Sequence, residues 1–96
     1  MILIKECGWS ALNISRVAAR IEKIRQGLET SERYVGDGVF ESKIYFGPGY
    51  RIYFGKERSQ IIVLLCGGSK HRQNADIKQA QRYWKNYLET KYAKEK

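Results

Sequence analysis

One proline, one histidine, one methionine and two cysteines in 96 residues close off several chemistries at once. Cys7 and Cys66 lie far apart, with no CxxC spacing and no cluster of metal-ligating neighbours, so neither a zinc site nor a disulfide framework is indicated and no cofactor is expected. Cys66 closes an apolar run and reads as a buried thiol. No apolar stretch approaches the roughly 20 residues of a membrane helix, and MILIKECGW lacks the long hydrophobic region and small-residue cleavage site of a signal peptide. A cytoplasmic chain with no membrane partner is the expectation. Acid is also scarce: ten Asp and Glu against 18 Lys and Arg leave a net charge of +8, with a pI near 9.7. That excess favours a polyanionic partner, the alternative being a basic surface that only keeps the chain soluble.

What is present suffices for one compact domain over residues 1–96, since 43% of the residues are hydrophobic and 12% aromatic. There is no internal repeat, linker or low-complexity block. ILI at residues 2–4 suggests a short strand. From about Ser10, Leu12 or Ile14, Val17, Ala18, Ile21, Ile24 and Leu28 recur at helical spacing, with Gly27 near the end. Arg16, Arg20, Lys23 and Arg25 fall on the other faces as a solvated surface. ETSERYVGDG lacks helical periodicity and ends in an Asp37-Gly38 turn signal.

A strand then begins. Alternation puts Phe40, Ser42, Ile44 and Phe46 on one face, taken as the core face with Ser42 its weak point, and Val39, Glu41, Lys43 and Tyr45 on the other. Pro48-Gly49 fits the centre of a type II turn. Beyond it, Tyr50, Ile52 and Phe54 share one face and Arg51 and Tyr53 the opposite one, so antiparallel pairing brings Lys43, Tyr45, Arg51 and Tyr53 together. IIVLLC at 61–66 reads as a central strand buried on both sides, and Ile77, Ala80, Trp84 and Leu88 as the apolar stripe of a final helix whose tail, 89–96, is expected to fray. The fold class is α+β: an N-terminal helix, a small antiparallel sheet of three to four strands, and a C-terminal helix.

Cleaving RNA by in-line attack of a ribose 2′-hydroxyl needs a proton acceptor, charge stabilisation on the phosphorane and a donor to the leaving oxygen, and no metal is obligatory. Lys43, Arg51 and Tyr53, with Lys70 and His71 after the next strand, are side-chain types able to fill those roles; an arginine fork pairs with phosphate and a tyrosine stacks on a base. Lys43 and Arg51 as ordinary solvent-facing strand residues, and His71 as an exposed residue without function, are the alternatives. Glu41 either orients Lys43 or is a surface acid. Gly67-Gly68 with Lys70 hints at an anion pocket without P-loop spacing. A Ser69, His71 and Asp76 triad is too crowded in sequence to be credible.

VGDGVFESKIYFGPGYRIYF and VLLCGGSKHRQNADIKQA resemble, in order and spacing, the addiction-module killer proteins of the RelE/HigB-like toxin superfamily, over roughly residues 14–88. The resemblance implies helices on one face of a small sheet and an open basic surface on the other. It implies a ribosome-dependent, metal-independent mRNA endoribonuclease neutralised by a cognate antitoxin, often a small helix-turn-helix protein. Lys43, Arg51, Lys70 and His71 become the implied catalytic set, and Tyr45, Tyr50, Tyr53 and Arg72 the implied RNA contacts. An Arg51→Ala variant is then expected to lose cleavage and keep its fold. Two departures stand out: the amino end looks short for a strand and a first helix, which would expose part of the core, impair antitoxin docking or force a homodimer that fills the gap, and Ile77 stands where some members carry tyrosine. A gyrase-inhibiting toxin of the ParE type, or a shortened member that only binds antitoxin or nucleic acid, is the competing implication.

Overall fold

The computed structural model describes residues 2–3, 14–28, 32–45, 49–57 and 61–94, with the backbone alone for 2, 3, 14, 15, 70 and 92–94. Helix α1 (Ile14–Arg25) buries Val17, Ile21 and Ile24, the turn-by-turn stripe that the spacing predicts. It ends in a Schellman closure: the Gly27 N–H donates to Ile24 O at 3.1 Å and the Leu28 N–H to Lys23 O at 3.0 Å. Ala18 and Leu28, expected on the buried stripe, are exposed. The expected helix start, at about Ser10, lies outside the described residues.

Strands β1 (Ile2–Leu3), β2 (Glu32–Gly36), β3 (Val39–Ile44), β4 (Tyr50–Glu57) and β5 (Ile61–Gly68) form one sheet, in the order β1-β5-β4-β3-β2 among the described residues. Strands β2 to β5 pair antiparallel, while β1 runs parallel to β5. The geometric centre is therefore β4. Strand β2 corrects the expectation of an irregular segment there. It is an edge strand, exposed over its first three residues, so it carries no apolar alternation for a reader to find. Asp37 and Gly38, with φ of 51° and 84°, make the two-residue turn with two left-handed centres that a β2–β3 hairpin requires. Residues 46–48 of the second turn lie outside the described set; Gly49 has the positive φ, 88°, expected of it.

The larger correction concerns layering. Both faces of the sheet are covered, one helix on each. Helix α1 packs on Ile44, Ile52, Phe54, Ile62 and Leu64, with Phe40 at the margin. Helix α2 (Gln73–Lys94), which follows a 3-10 turn at Lys70–Arg72, packs through Ala80 and Trp84 on Val39, Tyr53, Val63, Leu65 and Cys66. The unbroken run IIVLLC is now explained, because its alternate residues serve two different cores. A bulge opposite Tyr53 and Phe54 turns both Leu65 and Cys66 toward α2. Cys66 is the buried thiol expected, its Sγ 3.4 Å from Asp76 O. Cys7 lies outside the described residues.

Trp84 lies flat over the backbone of Gly55, where an added Cβ would overlap its ring carbons Cε3 and Cζ3, and stacks on Tyr87 at 5.7 Å. Helix α2 stays regular to Lys94 and is not frayed from residue 89. Its last turns are tied down by Lys91, which pairs with the buried Glu57, and by Tyr87 Oη, which donates to Glu57 Oε2 at 2.5 Å. Among the described residues no helix is long and apolar enough to cross a membrane.

Arg20 is not a solvated surface residue. Its guanidinium reaches from α1 to strand β3, donating to Ser42 Oγ at 2.9 Å and to the backbone carbonyl of Lys43 at 2.6 Å. Ser42, fully buried and out of place in an apolar row, is the acceptor that this arginine requires.

Candidate nucleic-acid interface

The β3–β4 register places Lys43 opposite Arg51, Glu41 opposite Tyr53 and Val39 opposite Gly55. Directly opposed side chains share a face with Cβ atoms about 5 Å apart, so Lys43 and Arg51 project together, as the alternation predicts. Each row continues across the sheet: Arg33, Glu41, Tyr53 and Cys66 form one, and Lys43, Arg51 and Gly68 the next. This is the face over which α2 lies, and its first turns divide it. Lys43 stays exposed and Tyr45, just beyond β3, is 78% exposed. The Arg51 side chain is only 13% exposed, and Tyr53 is fully buried.

The expected open basic surface is thus a basic rim around a covered polar patch, and several expected contacts change place. Tyr53 cannot stack on a base, because Ala80 and Trp84 belong to the cluster that buries it. Tyr50 lies opposite Ile44, on the α1 face. His71 and Arg72 are exposed at the start of α2, where they line a shallow hollow with Gln73, Asn74 and Ala75. The side chain of Lys70 lies outside the described residues.

The patch itself is organised around Glu41, which sequence reading leaves as a surface acid or a partner of Lys43. It is 2% exposed. Gln73 Nε2, from the first turn of α2, donates to Glu41 Oε2 at 2.8 Å. Arg33 Nη2 lies 3.4 Å from Oε1, and Arg51 Nε 3.9 Å from Oε2. The Arg51 distance is an ion pair without a hydrogen bond. Arg51 Nε, Tyr53 Oη and Asp76 Oδ2 are all buried with no hydrogen-bond partner among the described residues. Burial holds the Tyr53 phenol above its usual pKa, and the Glu41 and Asp76 carboxylates push it the same way.

Asp76 overturns the idea of an anion pocket at the glycines. Its carboxylate fills the space above Gly68, where a Cβ would overlap Oδ2, and a buried acid there repels an anion. A triad is equally absent, since Asp76 is buried and His71 points to solvent. Burial raises the Asp76 pKa from its ordinary 3.8, with Arg72 opposing. The native carboxyl therefore keeps its proton to higher pH than the unfolded one. The stability this contributes is full below about pH 4 and is lost as pH rises through the raised native value. Urea midpoints taken between about pH 3.5 and 7 should accordingly fall more steeply for wild type than for Asp76→Asn. Parallel slopes would mean that this carboxyl titrates as it does in the unfolded chain.

An uncharacterized protein of Haemophilus influenzae is 40% identical to this chain over 67 residues, which are 70% of the chain and 68% of that protein. No protein-family model and no solved structure matches.

Proposed function

We propose that the chain, which belongs to one family with that Haemophilus influenzae protein, is the toxin of a type II toxin–antitoxin pair, a ribosome-dependent mRNA endoribonuclease of the cytoplasm. The observation that carries this is Lys43 set directly opposite Arg51 on one sheet face, within the GPGYRIYF and GGSK pattern that resembles the RelE/HigB-like toxins. Two cations about 5 Å apart at their Cβ atoms can each contact a non-bridging oxygen of one phosphate.

In this reading the ribose 2′-hydroxyl next to the scissile phosphate gives its proton to water and attacks phosphorus in line, the P–O5′ bond breaks, and the 5′-oxygen leaves with a proton from water, so that a 2′,3′-cyclic phosphate and a 5′-hydroxyl remain. Arg51 and Lys43 take up the charge that develops on the phosphorane. Tyr45 is exposed enough to stack on a base, while Arg33, Arg72 and His71 line the rim where neighbouring phosphates would pass. Lys70 is assigned an assisting role on the resemblance alone. The partners are the ribosome with its message and a small helix-turn-helix antitoxin. Inducible expression with mapping of 5′ ends on ribosome-bound message tests the reading. The expected result is growth arrest with new 5′ ends inside translated frames, reversed by the product of the adjacent gene. Arrest with gyrase inhibited and messages intact would replace it with the ParE-type alternative.

A further inference from the structure

The buried acid beside the candidate phosphate-binding arginine calls for an explanation, since a carboxylate there opposes phosphate binding. We propose that Glu41 is a positioning residue: held by α2 through Gln73, it fixes the direction of the Arg51 guanidinium for the transition state. This inference rests on the endoribonuclease reading for its kinetic consequence, though not for its physical basis.

Three observations support it. First, Glu41 is occupied from two sides. Gln73 takes Oε2 at 2.8 Å and Arg33 approaches Oε1 at 3.4 Å, so the acid is fixed before Arg51 is considered. Second, Arg51 is attracted to this acid but not hydrogen-bonded by it, because the Nε to Oε2 distance is 3.9 Å and Nε is buried without a partner among the described residues. A closer bond would hold the arginine as a closed pair. An open one leaves its donors available to an incoming oxygen. Third, the register makes Glu41 the diagonal neighbour of Arg51 and the same-strand neighbour of Lys43 two residues on, at a distance that long side chains span. Without Glu41, Arg51 would keep only Asp76, whose carboxylate stands over the facing Gly68, and with Lys43 directly opposite it would turn outward to water.

The kinetic consequence follows from that turn. An outward arginine still attracts the message, so binding persists or tightens, but it no longer meets the phosphorane oxygens. Glu41→Gln keeps the shape and removes the charge. Its kcat on ribosome-bound message is expected to fall roughly ten- to hundredfold, with KM unchanged or lower. Gln73→Ala, which releases the acid without neutralising it, should lower kcat in the same direction by a smaller factor. A purely structural role would instead lower activity in proportion to the unfolded fraction.

A second readout does not depend on turnover. In 15N NMR of the arginine side chains, the Arg51 Nε–H should give a resolved signal in wild type that collapses to the solvent-averaged position in Glu41→Gln. If wild type does not cleave message but this collapse occurs, the functional reading fails and the positioning role stands. If the signal survives in a folded Glu41→Gln protein, or kcat stays within about twofold of wild type, the proposal is overturned. If neither variant folds, Glu41→Gln paired with Arg51→Gln is measured: a restored denaturation midpoint supports coupling between the two side chains, and no restoration refutes it.

Discussion

Arg51→Lys is expected to slow message cleavage by about a hundredfold or more while moving the denaturation midpoint little. The substitution keeps the positive charge facing Glu41, so the buried acid is not abandoned. It removes the planar fork, leaving a point charge that cannot donate two parallel bonds to a phosphate. Single-turnover cleavage on programmed ribosomes measures the effect, and a rate within a few-fold of wild type would remove Arg51 from its assigned role. Arg51→Ala, the variant that the sequence recommends, is the poorer test. It presumes an open face, whereas the side chain is 13% exposed and paired with an acid that is 2% exposed. Breaking a buried pair by removing one partner costs about 3–5 kcal/mol when burial is complete. Lost cleavage in Arg51→Ala would therefore mix chemistry with unfolding.

Trp84→Ala should produce the largest loss of stability among single changes, about 3–5 kcal/mol. The indole covers Gly55, approaches Gly38 across the β2–β3 turn and stacks on Tyr87, so truncation opens a cavity between α2 and the sheet instead of a surface notch. For a chain of 96 residues such a loss lowers the melting temperature by more than about 10 °C. The companion change distinguishes cavity from clash. Gly55→Ala forces a methyl group into the indole and should destabilise the wild type by about 1–3 kcal/mol, but much less in the Trp84→Ala background, where the obstruction has gone. Additive losses in the double variant would show that the two positions do not meet as described.

The readable part of the site was its register. A hairpin with apolar residues at alternate positions can be paired in only one way that keeps them together, so Lys43 and Arg51 had to share a face. The final helix was readable as a stripe, Ile77 to Leu88, but a stripe does not say which face of a sheet receives it. That single ambiguity misplaced Tyr53, Glu41 and the exposure of Arg51. The sequence did contain a warning in IIVLLC, since a strand apolar at every position needs cover on both sides. Strand β2 is hard to see in the sequence for the opposite reason. An edge strand satisfies itself through backbone pairing and leaves Glu32, Arg33 and Tyr34 in solvent, so its composition resembles that of a loop. Glu41 and Asp76 were hidden because acids in a basic chain read as solvated; only the elements folded over them make them interior.

The reach of Arg20 to the carbonyl of residue 43 has a mechanical corollary. A peptide unit is stiff, so gripping its oxygen from beneath also steadies the adjoining ammonium-bearing stem above. Loosening the first helix should therefore blur the outline of the cationic rim, although that helix packs on the opposite face of the sheet.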